Sequence, residues 1–164
     1  MYKCTTDIPE IQAYLSGAAH VAFDFETAPY PAWADDPKAA LDPHRAQIVG
    51  VSFSVAEGSA IYVPMAHMAG ENAWRPGIRA VLREFAANPA VTKIAHNLAF
   101  EAAFLYAQGI VLQPPCCDTI AAAQMTLKAP AQFRALSDCG LKTLVPQLFG
   151  AEMPSFEDVT SGRL

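Results

Sequence analysis

The sequence predicts an α/β fold, a mixed sheet whose elements run β-β-β-α-β-α with helices on its faces. Three observations carry this. HVAFDFET, residues 20–27, alternates apolar and polar side chains with the period of a strand. Two further apolar runs are separated only by a turn at Glu57-Gly58, the mark of an antiparallel hairpin. Beyond them, Ile78, Val81, Leu82 and Phe85 recur at helical spacing, followed by a short strand and a second strong helix. The chain has 164 residues, of which 52% are hydrophobic and 16% charged, enough to bury one sizeable core within a single domain.

In order along the chain, DIPEIQAYLSG reads as a short helix that Asp7 can cap, with Pro9 in its first turn. The first strand then sets Ala22, Asp24 and Glu26 on one face and Val21, Phe23 and Phe25 on the other. Residues 28–46 are rich in Pro and Ala and read as a long loop, a class that is usually functional or mobile. AQIVGVSFSVAEG and SAIYVPMAH form the hairpin, with Pro64 marking a strand edge or exit. RPGIRAVLREFAANP is a helix stopped by Asn88-Pro89, and VTKIAH is a short strand. NLAFEAAFLYAQG is a helix with Asn97 as N-cap and Gly109 just past its end. IVLQPP is extended, and CCDTIAAAQMTLKAP reads as a helix capped by Asp118. Residues 131–140 read as a loop, GLKTLVPQLFG as a last helical segment, and the tail lacks periodicity.

The formal net charge of −5 gives no basic footprint, which argues against tight autonomous binding of nucleic acid unless divalent cations offset clustered carboxylates. Cys4, Cys116, Cys117 and Cys139 form no C-x-x-C pair, so zinc spacing is absent, and Cys116-Cys117 read as small buried hydrophobes. No apolar run reaches membrane-spanning length and no signal peptide is evident, so a reducing cytoplasm, bacterial or of a phage-infected cell, is expected.

The chemistry concentrates in VAFDFETAPY. Asp24 and Glu26 project from one strand face, their Cβ atoms roughly 6.5–7 Å apart, a span two carboxylates can close around one hard cation. All-oxygen ligands suit Mg²⁺ or Mn²⁺. An acidic pair at a strand end can also be no more than solvated surface. AHNLAFEAAF adds Glu101, an acid in strongly apolar surroundings near the start of a helix that directly follows a strand. Its first turn can deliver that carboxylate to the strand ends. Asn97 and Asp118 read as helix caps on local grounds, and the four histidines, His20, His44, His67 and His96, as structural or loop residues, with His96 nearest the site.

The order F-D-x-E-T, hairpin, H-N-x-x-F-E at a strand-to-helix junction, then D-T at a helix start resembles the 3′–5′ exonuclease domain of family A DNA polymerases. It also resembles the wider group of exonucleases named for their Asp-Glu-Asp-Asp acids. FDFET (23–27), IVGVSFSV (48–55), KIAHNLAFE (93–101) and CDTIAAAQM (117–125) carry the likeness, and GLKTLVPQLFG with MPSFEDVT extends it over nearly the whole chain from about residue 18. The resemblance implies a ribonuclease H-like fold and hydrolysis of the 3′-terminal phosphodiester of DNA with two divalent ions, Mg²⁺ or Mn²⁺, roughly 3.5–4 Å apart. It implies Asp24, Glu26 and Glu101 as catalytic and metal-binding residues, and Thr27, Asn97 and Phe100 as contacts to the terminal nucleotide. Glu101 stands where the family usually has Asp.

The resemblance further implies a single-stranded DNA 3′ end as partner, RNA as a possible one, and a polymerase domain in the same chain or complex. The family's last motif, a Tyr or His followed by Asp, has no counterpart: no Y-x-x-x-D occurs in the C-terminal part, and Tyr106 and Asp138 lie too early and in the wrong order. The chain 1–164 is therefore expected to be one exonuclease-like domain truncated at its C-terminus. Two other readings stay open: a catalytically incomplete nucleic-acid-binding or interaction module, and an exoribonuclease that trims RNA 3′ ends, since sugar recognition depends on pocket shape.

Overall fold

A computed structural model describes residues 1–36, 38–127 and 139–153. Six strands form one mixed sheet: β1 (Tyr2–Cys4), β2 (His20–Pro29), β3 (Ala46–Ala56), β4 (Ser59–Pro64), β5 (Thr92–Ala95) and β6 (Cys116–Asp118). Their order across the sheet is β1-β4-β3-β2-β5-β6. The β2-β3-β4 meander is antiparallel, while β1 joins β4, β5 joins β2 and β6 joins β5 in parallel. The helices are α1 (Ile8–Leu15), α2 (Arg75–Ala87), α3 (Leu98–Ala107), α4 (Thr119–Leu127) and α5 (Leu141–Phe149). The expected β-β-β-α-β-α run is therefore present as β2 to α3.

Alternation on β2 falls as its pattern requires: Val21, Phe23 and Phe25 are buried, and Ala22, Asp24 and Glu26 lie on the open face. The buried face meets α2, whose Ile78, Val81, Leu82 and Phe85 all point inward. Phe85 stands edge-on to both Phe23 and Phe53, with ring centroids 5.2 and 5.4 Å away, a geometry that adds about 1 kcal/mol per pair beyond area burial. Glu57 and Gly58 make the tight turn between β3 and β4, with Gly58 at φ 69°.

Three sequence expectations need correction. Cys116-Cys117 do not open a helix; with Asp118 they form an edge strand, which leaves Cys116 exposed and Cys117 half-buried. Three residues carry too little periodicity to announce a strand, and the same is true of β1. β4 ends at Pro64, the strand exit that its sequence allowed, and β1 pairs along its outer side. Asp7 occupies the N-cap position of α1 but makes no side-chain cap bond. The loop after β2 is organised: two short 3₁₀ turns, Pro31–Trp33 and Ala39–Leu41, are pinned by Arg45. Its guanidinium pairs with Asp36 and Asp42, each at 3.1 Å, and lies 4.6 Å from the Trp33 ring centre.

Residues 1–118 form one compact unit, and a second begins at Thr119. In the second, Ala123, Cys139 and Leu144 are buried together. Asp138, most of the expected 131–140 loop and the stretch 154–164 lie outside the described residues. No helix among the described residues is long and apolar enough to cross a membrane.

Candidate active site

β2 sets Asp24 and Glu26 on the open face of the sheet, and α3 brings the buried Glu101 within reach of the Asp24 charge. Asp24 and Glu26 pair in register with Ser52 and Gly50 of β3, and the ladder slips between Glu26 and Thr27. Such a bulge re-aims side chains where a strand ends at a site. Thr27 donates its hydroxyl to the Ala40 carbonyl at 2.7 Å and so fastens the following loop.

Glu101 arrives from the first turn of α3 and is 1% exposed. Burial pushes its carboxyl up to about 7. Its own backbone N–H and that of Phe25 donate to it and oppose the rise, while the charges of Asp24 and Asp118 add to it. Its Oε2 has no hydrogen-bond partner among the described residues. A buried carboxylate oxygen left this way costs about 1–3 kcal/mol or more. Partial desolvation also holds Asp24 above its ordinary range, with the charge of His96 pulling it back. Glu26 is raised by desolvation and then by Asp24, and lowered by His67.

The start of α3 is not capped as the sequence suggests. Asn97 sits at the N-cap in the left-handed region, φ 75°, with no side-chain cap bond. The cap comes from β6: Asp118 accepts the Asn97 N–H through Oδ1 at 3.1 Å and the Leu98 N–H through Oδ2 at 3.0 Å. A carboxylate there also suits the positive end of the helix. Asp118, the residue just before α4, thus also caps α3, and this fixes the turn that carries Glu101. Asn97 is exposed, whereas Phe100 is half-buried and stacks at a tilt on Phe104, centroids 4.8 Å apart.

One group was not singled out from sequence. Tyr62 of β4 reaches across β3 over Gly50, where a Cβ would stand only 1.9 Å from its hydroxyl. Only glycine leaves room for that ring beside Glu26. Tyr62 Oη and His67 Nε2 are 2.7 Å apart, and the Asn72 side chain clasps the His67 backbone at both N–H and C=O. Desolvation, then the charge of Glu26, raises the Tyr62 phenol. The available signal was the lone glycine between Val49 and Val51 inside a strand, which marks a close approach.

Among the described residues, no three His, Cys, Asp or Glu side chains draw together tightly enough to enclose an ion. The donor chemistry nevertheless fits a hard divalent cation: the three acids offer only oxygen, the charge of Asp24 adds to the rise that burial causes in the other two, and one buried oxygen lacks a donor among the described residues.

The family model described as 3′–5′ exonuclease matches residues 1–161. DNA polymerase I of Chloroflexus aurantiacus is 32% identical over 120 residues, 73% of this chain but 12% of that protein. DNA polymerase I of Pseudomonas aeruginosa is 45% identical over 53 residues, 32% of this chain and 5% of that protein. The chain thus spans only a small part of the curated relatives it matches. Among solved structures, NrnC of Brucella melitensis with bound Mg²⁺ superposes with a TM-score of 0.62 at 22% identity, covering 94% of this chain and 63% of that one. RNase D of Escherichia coli gives 0.62 at 18%, covering 96% and 36%. At these identities the likeness carries the fold, which is ribonuclease H-like.

Proposed function

The chain belongs to the 3′–5′ exonuclease family, and from that premise we propose that it removes nucleotides from the 3′ end of single-stranded DNA by metal-assisted hydrolysis. The observation that carries this reading is Glu101: a carboxylate 1% exposed, with one oxygen unpartnered among the described residues, raised by its burial and further by the charge of Asp24. A fold with no use for a cation gains nothing from that arrangement.

Asp24, Glu26 and Glu101 would hold divalent ions, Mg²⁺ or Mn²⁺, which when bound supply an activated water and stabilise the leaving 3′ oxygen. The chain's own groups set the stage. Asp118 fixes the α3 turn that holds Glu101 buried. The bulge after Glu26 and the Thr27–Ala40 bond hold the strand end. Asn97, exposed at the start of α3, and Phe100 near it would meet a terminal nucleotide, as Thr27 would from the strand.

Trimming of RNA is the second reading, favoured by the fold shared with RNase D and with NrnC, which is also known bound to pGG. Shortening of 5′-labelled DNA and RNA strands of one sequence, with Mg²⁺ or Mn²⁺ and with chelator, separates the two. Metal-dependent shortening of DNA that is lost in Asp24→Asn is expected. Binding without turnover, unaffected by Asp24→Asn, would replace the enzyme with a binding module.

A further inference from the structure

Away from the carboxylates, Arg75, Arg79 and Arg83 follow one another at every fourth position of α2 and so share one face of the helix. All three line a cavity of about 720 Å³, together with Tyr30, Gln47 and Gln108; Asp24, Glu26 and Glu101 are not among its walls. No carboxylate among the described residues pairs with these arginines, although Arg45 has two such partners. Glu84 of the same helix lines a different cavity, with Gln12 and Asn88. Arg79 is anchored by donating to the Gln108 carbonyl at 2.5 Å. In a chain of net charge −5, three unneutralised guanidinium groups on one face are a local inversion of the field.

We propose that this face of α2 is a second, non-catalytic surface that grips the phosphate backbone of single-stranded nucleic acid. The arginines form a row, with a rise of about 6 Å between successive members, which suits successive phosphates of a strand rather than one small anion held by converging groups. Guanidinium is the side chain best shaped to phosphate oxygens. Tyr30, 40% exposed at the cavity wall, adds an aromatic surface on which a base can stack. The choice of nucleic acid rests on the exonuclease reading, but the claim concerns affinity alone.

The test titrates the full chain carrying Asp24→Asn with a 5′-fluorescein oligothymidylate, by anisotropy in chelator, between about 50 and 200 mM salt. Arg75→Gln with Arg83→Gln is expected to weaken binding and to reduce the slope of log affinity against log salt by about 1.4, about 0.7 for each lost phosphate contact. Thermal melting of the variant should match the parent. Arg79 is left in place because it also holds the end of α3. An unchanged slope overturns the proposal, as does inorganic phosphate that protects both arginines while the oligonucleotide adds nothing. Cleavage by the otherwise wild-type chain with Arg75→Gln and Arg83→Gln at undiminished affinity would sink this surface and leave the exonuclease reading standing. Arginine-dependent binding without any cleavage by the wild type would do the reverse.

Discussion

Among the described residues two charged side chains are almost completely buried, Lys93 at 0% exposure and Glu101 at 1%, and they are treated in opposite ways. Lys93 on β5 donates its ammonium to the Asn88 and Val91 carbonyls at 2.6 and 3.1 Å, both in the loop that leads into its own strand. Its burial is satisfied locally and braces the α2–β5 connection. Glu101 has Phe25 of another element as a donor, one oxygen without any, and Asp24 and Asp118 adding negative charge. One buried charge is completed by the fold; the other is held incomplete by it. Incomplete satisfaction in a rigid place is what a binding site requires, and it costs stability.

The comparison is broken most strongly at Asp24. Asp24→Asn should lower 3′ shortening by about 10²–10³-fold with Mg²⁺ while leaving the urea midpoint unchanged or higher; equal turnover would remove the acids from the chemistry. Lys93→Ala should do the opposite. It removes the ammonium's bonds to both carbonyls, although that of Asn88 keeps the Val91 N–H, and leaves a cavity behind, so chemical denaturation should show a loss of about 3 kcal/mol, with turnover per folded molecule retained. A stability loss under about 1 kcal/mol would mean that water replaces the ammonium easily.

Glu101→Gln sharpens the contrast through pH. Unfolded, the carboxyl ionises near 4.5; folded, near 7. Between those values the native state keeps a proton the unfolded state has lost, so stability falls as pH rises through this window. In chelator, Glu101→Gln should match the wild type near pH 4 and exceed it at pH 8, by at most about 3 kcal/mol. Parallel stability curves for the two proteins would show that Glu101 is not held high. The smallest effect is expected at the Tyr62–His67 pair. Tyr62→Phe removes one exposed hydrogen bond beside Glu26 and should reduce turnover several-fold, with a stability loss of at most about 1 kcal/mol. A change in melting alone would make the pair a brace for the 65–74 loop.

Much of the site was legible in the chain. Asp24 and Glu26 lie on the open face because strand alternation leaves a residue no other choice, and Glu101 follows β5 on α3 as its apolar neighbourhood suggested. The cap of α3 misled. A local pattern identifies Asn97 as the capping residue, but its side chain makes no cap bond, and the two Asp118 oxygens serve α3 across the β5–β6 pairing. Tyr62 and His67 stayed hidden for the same reason, since their nearness to Glu26 depends on the register of three strands.

By itself, then, the sequence determined what is periodic: strands β2 to β5, the buried face of α2, the hairpin turn, and the side of β2 that carries the acids. Those features are set by steric rules acting within a few residues. The tertiary structure decided who meets whom: Asp118 as the cap of α3, Tyr62 over Gly50, the row of α2 arginines facing a cavity, and the oxygen of Glu101 left without a donor. Each depends on sheet order and register, which no local stretch encodes, because residues far apart in sequence become neighbours only when the strands pair.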